Sequence, residues 1–479
     1  MSDLKRGGHG SAADLFPTHV LGRPEVRELP PAPANTAKLI GPGIVAAGVG
    51  LSSGEFILYP YIASQVGMAF VWAALVGVMT QFFLNMEIER YTLATGETVL
   101  TGFSRFWRHW GLVFALMTCF ANLWPGWATS SATMLSYIVG GEPRWIAICM
   151  LASIGLILTL APVVYVMLER LQMVKVAAVG VLILIAAFFV ITAEDWAALP
   201  QIVTTATIPT ELGFALLLGA LAFAGAGGGQ NLCQSNWIRD KGFGMGKYVP
   251  RIMSPVTGQP EAAPSTGFVF EPTPENMARW QRWWGFANVE QLVTFVLITF
   301  ITITFTSLLA YATVYGQEGL PNSVAFVQSE GLVLADKVGG WFGALFWFIG
   351  AFSLFGAATG IVDYTARLAA DVLRTTYVRG ANESRLYFWI VWGLVAIGVA
   401  VLLFGLTQPL VLLVISACTG GLMMFIYSGL LILLNRRLLV PELRPGVGRI
   451  AALAWGFLLF GFLSILTLGQ QIPKLWGAG

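Results

Sequence analysis

The sequence has few charged residues. Asp, Glu, Lys and Arg make up only 11% of its 479 residues, while 56% are hydrophobic. A chain this poor in charge does not cover a water-facing surface of its size, and its apolar runs are long enough to cross a bilayer. The composition excludes an ordinary soluble domain and indicates a polytopic membrane protein. We expect the lipid bilayer as its environment and no nucleic-acid partner.

Histidine and cysteine are also scarce. The three histidines, His9, His19 and His109, fall in segments that we predict to be cytoplasmic, so imidazole is excluded as a ligand or proton carrier at the membrane centre. The four cysteines fall inside predicted spans without the spacing of metal ligands, which favours a packing role. The sequence therefore predicts no resident metal.

Catalytic motifs are missing from the sequence. It contains no Walker-type phosphate loop and no combination of residues typical of nucleophilic or acid–base catalysis. We therefore expect neither an enzyme nor direct ATP drive, and no cofactor. Transport energised by an ion gradient is the function class that remains.

Eleven apolar segments have the length of a membrane span. They are residues 39–66, 69–95, 110–138, 144–162, 171–193, 212–236, 286–315, 340–366, 386–405, 408–434 and 449–471. With the N-terminus in the cytoplasm, 24 of the 27 Lys and Arg residues lie inside, and only Arg144, Lys337 and Lys474 lie outside. This bias predicts an inner-membrane protein with a cytoplasmic N-terminus and an extracytoplasmic C-terminus.

Two of these spans are interrupted by glycine and polar residues. The first break is Gly50–Glu55 in span one, and the second break is Gly225–Asn231 in span six. Unwound chain at mid-depth is tolerated only where it is buried in protein or lines a cavity. Paired breaks at matching positions of two halves are typical of a transporter's substrate site.

Three motifs carry a family resemblance. They are Gly41-Pro-Gly-Ile-Val at the start of span one, Asn85 to Gly96 at the end of span two, and Val164-Tyr-Val-Met-Leu-Glu-Arg at the start of span five. In these the chain resembles the Nramp-type divalent-metal transporters along nearly all its spans. The resemblance implies a leucine-transporter-type fold, with two inverted repeats of five helices, broken helices one and six, and one extra helix.

This resemblance implies a domain organisation. Residues 1–37 would be a flexible cytoplasmic tail, residues 38–193 the first repeat, residues 212–434 the second repeat, and residues 449–479 the last helix with a short extracytoplasmic end. Residues 239–284 would form a long cytoplasmic loop within the second repeat.

The family's metal ligands are replaced in this sequence. Its Asp-Pro-Gly-Asn turn aligns with Ser52-Ser53-Gly54-Glu55, and its Met-Pro-His turn aligns with Gly228-Gly229-Gln230. Selection of transition metals needs a soft or borderline ligand such as a thioether or imidazole, and both are gone. Exchange of methionine for glycine also predicts a wider cavity, suited to a larger substrate.

The candidate substrate-binding residues lie in or near the two breaks and on span three. They are Ser52, Ser53, Gly54, Glu55, Tyr59, Trp124, Trp127, Gly228, Gly229, Gln230, Asn231, Gln234 and Trp237. Carboxylate, amide and aromatic groups suit a polyhydroxylated solute, because they donate, accept and stack. For the amides and tryptophans, simple helix packing is the alternative.

Glu55 and Glu290 are the candidates for proton coupling. An ionised carboxylate near the bilayer centre costs about 2.5–3.5 kcal/mol, so it is retained where it has a function. Ser52 and Glu55 also match a capping box, which would give Glu55 a structural role at the start of the outer half-helix. Glu290 lies near the start of span seven, where snorkelling to the interface is the alternative.

Together these features predict a secondary transporter. We expect import of a small polar organic solute by alternating access, with a monosaccharide such as glucose as the first substrate to test. The coupling ion would be H+, with Na+ as an alternative. The rival functions are transport of a divalent metal, for which hard Mg2+ fits the remaining ligands better than Mn2+, and a sensor that binds its solute without moving it.

Overall fold

The structure is a computed structural model that describes residues 11–34, 40–52, 54–123, 125–257, 266–317, 320, 325–405 and 409–475. Almost all regular structure within these ranges is helical. Nine helical segments of the described chain are long and apolar enough to cross a membrane. The predicted all-α polytopic membrane fold is confirmed.

The helices of the first half follow one another closely. They are α1 (Pro42–Gly50), α2 (Tyr59–Val66), α3 (Trp72–Thr95), α4 (Val99–Ser104), α5 (Trp110–Asn122), α6 (Gly126–Val139), α7 (Pro143–Leu160), α8 (Val164–Phe189), α9 (Ala193–Trp196) and α10 (Gln201–Thr204). A π-helical segment, Gly54–Leu58, leads directly into α2.

The helices of the second half are longer on average. They are α11 (Phe214–Ala222), α12 (Gly229–Lys241), α13 (Pro274–Glu290), α14 (Ile298–Val314), α15 (Phe326–Val338), α16 (Gly340–Val372), α17 (Glu383–Leu403), α18 (Pro409–Leu438) and α19 (Val447–Leu475). A π-helical segment, Gln291–Leu297, joins α13 to α14 without a loop.

Three regions differ from the predicted spans. The third span consists of two helices, because α5 ends at Asn122 and α6 begins after Pro125, which lacks the N–H that a continuous helix needs. Helix α13 begins at Pro274, so the cytoplasmic loop is shorter than the predicted 239–284. Helix α15 falls between predicted spans seven and eight, where no helix was expected.

Residues 11–34 pack against the rest of the protein, although the sequence predicts a flexible tail there. Strand β1 (Glu25–Val26) pairs in parallel with β2 (Phe268–Val269), which lies between α12 and α13 in the chain. The Arg105 guanidinium donates to the main-chain oxygens of Pro17 and Gly22, at 3.3 and 3.1 Å. Hydrogen bonds and strand pairing hold this segment in place. Neither could be predicted from its polar, Pro-rich composition.

Both breaks lie in the middle of the bundle. Helix α1 ends at Gly50 and α11 ends at Ala222, and the chain resumes helical geometry at Gly54 and Gly229. Helix α16 packs against both α1 and α12, the helices that flank the breaks. Every described residue of α1 and α12 up to Asp240 is buried, so the two broken helices form the centre of the protein.

Candidate functional site

The first break is stabilised by its own polar side chains. Glu55 Oε2 accepts the main-chain N–H of Ser52 at 2.9 Å. The Ser52 hydroxyl donates in the opposite direction, to the carbonyls of Gly50 (3.1 Å) and Val49 (3.3 Å) at the end of α1. Glu55 therefore makes its half of the predicted capping box, while Ser52 satisfies the carbonyls of the preceding helix.

A buried lysine accompanies Glu55. Lys175 of α8 is fully buried, and its ammonium donates to the carbonyl of Ser353 on α16 at 3.0 Å. The Ser353 hydroxyl in turn donates to the carbonyl of Leu51 in the first break at 2.7 Å. Glu55 and Lys175 are close enough to interact electrostatically, and within the described chain Glu55 Oε1 has no hydrogen-bond partner. The first break thus contains a buried carboxyl group, and the buried amine of Lys175 lies near it.

The second break depends on glycine and on one glutamine. Gly225, Gly227 and Gly228 have φ angles of 116°, 71° and 52°, which side chains rarely permit. Gln81 of α3 accepts the N–H groups of Ala226 (2.8 Å) and Gly227 (2.9 Å). Its amide nitrogen donates to the last carbonyls of α11, at 3.0 and 3.3 Å. One carboxamide therefore satisfies four main-chain groups that the unwinding leaves exposed.

The two breaks are in direct contact. A Cβ added to Gly50 would lie 2.1 Å from the carbonyl oxygen of Gly225, and one added to Gly54 would lie 2.1 Å from that of Phe223. Only glycine allows this approach of two main chains. The wider cavity that the sequence predicts is absent from the described part of this conformation, because the two backbones themselves fill the space.

The predicted amides lie at the junction between the breaks and the helices around them. Gln230 donates to the carbonyl of Ala46 in α1 at 2.7 Å. Asn231 donates to Asn85 of α3 at 2.7 Å and accepts from the Tyr427 hydroxyl of α18 at 3.0 Å. Gln230 joins the two broken helices directly, whereas Asn231 connects α12 to two supporting helices.

The glycines at the start of α12 face other helices. A Cβ on Gly228 would lie 2.5 Å from the Cα of Gly420 in α18, and one on Gly229 would lie 2.5 Å from the Thr118 hydroxyl of α5. These two predicted site residues therefore allow close packing of α12 against α5 and α18.

The predicted aromatic residues differ in their distance from the breaks. The Trp127 ring lies 5.9 Å from the Phe223 ring beside the second break, and it lines a 30 Å³ cavity with Asn122 and Thr365. Tyr59 is fully buried above Glu55, and its hydroxyl has no partner among the described residues.

Trp237 is two turns beyond the second break. Its indole N–H donates to Asp363 at 3.3 Å, and the same carboxylate is bound by Arg367 at 2.8 and 2.9 Å. The Arg367 guanidinium also binds Asp240. Trp237 therefore belongs to an ionic cluster of α12 and α16, at a distance from the contact between the breaks.

Glu290 does not snorkel to an interface. It is buried, and its Oε1 accepts the N–H groups of Gly41 (3.2 Å) and Gly43 (2.9 Å) at the start of α1. The carboxylate caps the positive end of α1, a favourable position for a negative charge. Position 43 favours glycine, because a Cβ there would lie 2.6 Å from Glu290 Oε2.

Two predicted site residues, Ser53 and Trp124, lie outside the described residues. Among the side chains that the structure does describe, no group of three or more His, Cys, Asp or Glu is placed to hold a metal ion.

Sequence reasoning missed Lys175 and one face of α3. Gln81, Asn85 and Glu89 are spaced four residues apart in α3, so they share one face, and each lies beside α12 or the second break. This four-residue spacing is visible in the sequence and indicates a polar helix face. Lys175 gave less signal, because a lysine near the predicted cytoplasmic end of a span ordinarily reaches the interface.

Comparison with known proteins gives similarity in structure alone. No family model matches the sequence, and no curated protein does. The chain is similar to the structure of a mutant manganese transporter of Eremococcus coleocola, with a TM-score of 0.69 and 12% identity over 98% of this chain and 92% of that one.

Two further structures are similar to a lower degree. MhsT in complex with L-phenylalanine has a TM-score of 0.55 and 12% identity over 93% of this chain and 99% of that one. Mhp1, a nucleobase-cation-symport-1 family transporter, has a TM-score of 0.50 and 12% identity over 93% of this chain and 94% of that one. These similarities confirm the predicted fold: the chain has the leucine-transporter-type fold.

Proposed function

We propose that this protein is a secondary active transporter that carries a small substrate between its two breaks and is driven by protons acting at Glu55 and Lys175. The observation that supports this most directly is the contact of two unwound segments beside a fully buried carboxylate and a fully buried ammonium. Buried ionisable groups at membrane depth are costly and are retained where they serve transport.

The coupling follows from the hydrogen bonds of Glu55. As a carboxylate it accepts the Ser52 N–H and offsets the Lys175 charge. Protonation weakens that acceptor and leaves the ammonium without its counter-charge, so it changes the first break itself. Because this break contacts the second one, a proton shifts the equilibrium between closed and open arrangements of the site.

A small neutral polar solute is the substrate class that the chemical groups favour. Gln230 supplies a carboxamide, Glu55 an unpaired oxygen and Trp127 an aromatic face, while the Lys175 ammonium disfavours a second cation nearby. We propose a monosaccharide as the first solute to test. Its entry requires the two breaks to separate.

A divalent metal is the second candidate, and two observations favour it. The structures with a TM-score of 0.69 are those of a manganese transporter. The two backbones also fill the space between the breaks, so a dehydrated ion requires less separation of the breaks than a sugar does. The carboxylate and carbonyl oxygens present are hard ligands, so Mg2+ suits them better than Mn2+.

One uptake experiment separates these candidates. The purified protein is reconstituted in liposomes, and uptake of labelled glucose, Mg2+ and Mn2+ is measured under an imposed pH gradient and, separately, a Na+ gradient. The matched variants are Glu55→Gln and Glu194→Gln, since Glu194 is an exposed acid far along the chain from both breaks.

The outcomes are distinct. We expect glucose uptake under the pH gradient that is lost in Glu55→Gln and kept in Glu194→Gln. Metal uptake without glucose uptake assigns the second candidate. Uptake that is equal in Glu55→Gln and the unmodified protein contradicts the coupling role of Glu55.

We further propose a plasma-membrane location, with the N-terminal end of α1 on the cytoplasmic side, because Lys and Arg concentrate in the loops on that side.

A further inference from the structure

A polar face of α3 leads from the second break toward the N-terminal end of α1. Gln81 holds the second break, Asn85 accepts from Asn231, and Glu89 follows one turn later beside Gln234. Successive members are about 6 Å apart along the helix axis. A continuous line of polar groups therefore runs through the buried contact of α3 with α12.

Several atoms on this line lack hydrogen-bond partners in the described part of the chain. They are both carboxylate oxygens of Glu89, both amide atoms of Gln234, the amide nitrogen of Asn85 and Glu290 Oε2. Glu89 and Gln234 are both fully buried. Buried polar atoms without protein partners are normally satisfied by water or an ion, so the line has the composition of a hydrated route.

Two acids meet at the end of this line. Glu89 lies near enough to Glu290 for their charges to interact, and Glu290 is tied to the N–H groups of Gly41 and Gly43. The N-terminus of α1 and the Thr294 hydroxyl (3.1 Å) stabilise a negative charge on Glu290. Glu89 has the neutral Gln234 amide beside it, and neither a helix N-terminus nor a main-chain N–H binds its oxygens in the described structure.

The surrounding charged groups do not neutralise a second carboxylate. Tyr165 of α8 and Lys241 of α12 both lie against Gly41, but the Lys241 ammonium is paired with Glu169 at 2.6 Å. Two buried acids at close range do not both ionise, and one proton is shared by the pair. The donors present place the charge on Glu290 and the proton on Glu89.

We propose that Glu89 and Glu290 form a cytoplasmic proton site, which receives the proton that leaves Glu55 through the polar face of α3 and releases it to the cytoplasm. The proton on Glu89 leaves as hydronium when the start of α1 moves and water enters. A second proton, from Glu55, then restores the carboxyl form of Glu89. This inference rests on the proposed function for its direction of proton flow, while the shared proton is independent of any substrate.

The first test needs no substrate. Infrared spectra of the full chain in liposomes are recorded across a pH titration for the unmodified protein, Glu89→Gln and Glu169→Gln. At neutral pH we expect Glu89→Gln to lose one carbonyl stretching band of a protonated carboxyl, and Glu169→Gln to lose none, because Glu169 forms an ion pair with Lys241. An identical set of bands in Glu89→Gln and the unmodified protein overturns the proposal.

The folding of Glu89→Gln is itself informative. Glutamine has the shape and neutrality of a protonated glutamate, so we expect a thermal unfolding midpoint equal to or above that of the unmodified protein. A variant that fails to fold overturns the proposal, since it means that the charge of Glu89 has a partner.

The second test uses transport of whichever probe, labelled glucose or Mg2+, is taken up in the liposome assay. We expect Glu89→Gln to lose uptake driven by a pH gradient while it keeps exchange of internal for external probe, because exchange requires no proton release. Retention of gradient-driven uptake overturns the release role. If neither probe is taken up by the unmodified protein, the proposed function fails, and the infrared test still decides the shared proton.

Discussion

The first break is stabilised by side chains of its own segment and of α16, with Lys175 of α8 nearby, whereas the unwound main chain of the second break is bound by one side chain of α3. At the first break, Glu55 accepts the Ser52 N–H and interacts with Lys175. At the second break, Gln81 makes four hydrogen bonds to the main chain. The first arrangement contains two titratable groups, and the second contains none.

This difference assigns different mechanical roles to the two breaks. A carboxamide keeps its hydrogen bonds at every pH, so Gln81 fixes the second break to α3. The hydrogen bonds of a carboxylate change when it takes up a proton. Under the proposed function, the first break is the one whose structure a proton gradient alters, and the second break provides the fixed surface against which it moves.

The largest effect is expected where the two breaks touch. In Gly50→Ala the new methyl group would overlap the Gly225 carbonyl, and main chain cannot move aside as a flexible side chain does. We expect a loss of about 3 kcal/mol or more in the stability of the closed state, and loss of transport.

Gly180→Ala is the matched control for this substitution. Gly180 is inside α8, and a Cβ there meets nothing within 4 Å among the described atoms. Thermal unfolding of both variants in detergent measures the difference. Equal unfolding midpoints for Gly50→Ala and Gly180→Ala would show that the two breaks are not held in contact.

The next largest effect is expected when Gln81, whose side chain binds four main-chain groups at the second break, is replaced. Gln81→Leu leaves two buried N–H groups and two buried carbonyls without their partner, at a cost of about 2 kcal/mol or more in stability. The loss is expected to be the same at acidic and alkaline pH, because no titratable group is involved. Thermal unfolding at both pH values measures it.

Gln65→Leu serves as the control, since the Gln65 side chain is exposed and bonds only to Ser64 in the described structure. A thermal unfolding midpoint for Gln81→Leu close to that of Gln65→Leu would contradict the stabilising role of Gln81.

The smallest effect concerns Glu330 of α15, outside the membrane-spanning helices. It lines a small cavity with Phe56 and Pro60, which follow the first break. Burial raises the pKa of Glu330 from 4.5 to about 8. A raised folded-state pKa means that the stabilising contribution of the protonated form is complete below 4.5 and is lost as the pH rises toward 8.

Glu330→Gln removes this pH dependence. We expect its thermal unfolding midpoint to exceed that of the unmodified protein by a few degrees at alkaline pH, and to match it near pH 4.5. A constant difference between the two proteins across the titration would show that Glu330 does not change its protonation there.

Much of the fold could be predicted from the sequence. Glycine and polar residues inside two apolar spans located both breaks, since few other features interrupt a helix at membrane depth. The break in the third span was missed, although Pro125 was visible. Helix α15 was missed because its composition is mixed and its length is below that of a span.

The site was predicted less completely, because its contacts are long-range. Glu55 and Gln230 were found, since they lie in the breaks. Glu290 was identified as a candidate, but its contact with Gly41 and Gly43 joins residues almost 250 positions apart. Whether Lys175 reaches an interface or the core depends on how α16 packs against α8, which no local pattern records.

Amide hydrogen exchange of the two breaks tests the central claim most directly. Exchange is measured by mass spectrometry on the full chain in lipid, at acidic and alkaline pH, and corrected for the intrinsic chemical rate. We predict that peptides containing Ser52 lose protection at acidic pH, that those containing Ala226 and Gly227 keep theirs, and that Glu55→Gln removes the pH response of the first break. Protection that changes equally in both breaks, or a response that persists in Glu55→Gln, would contradict the account.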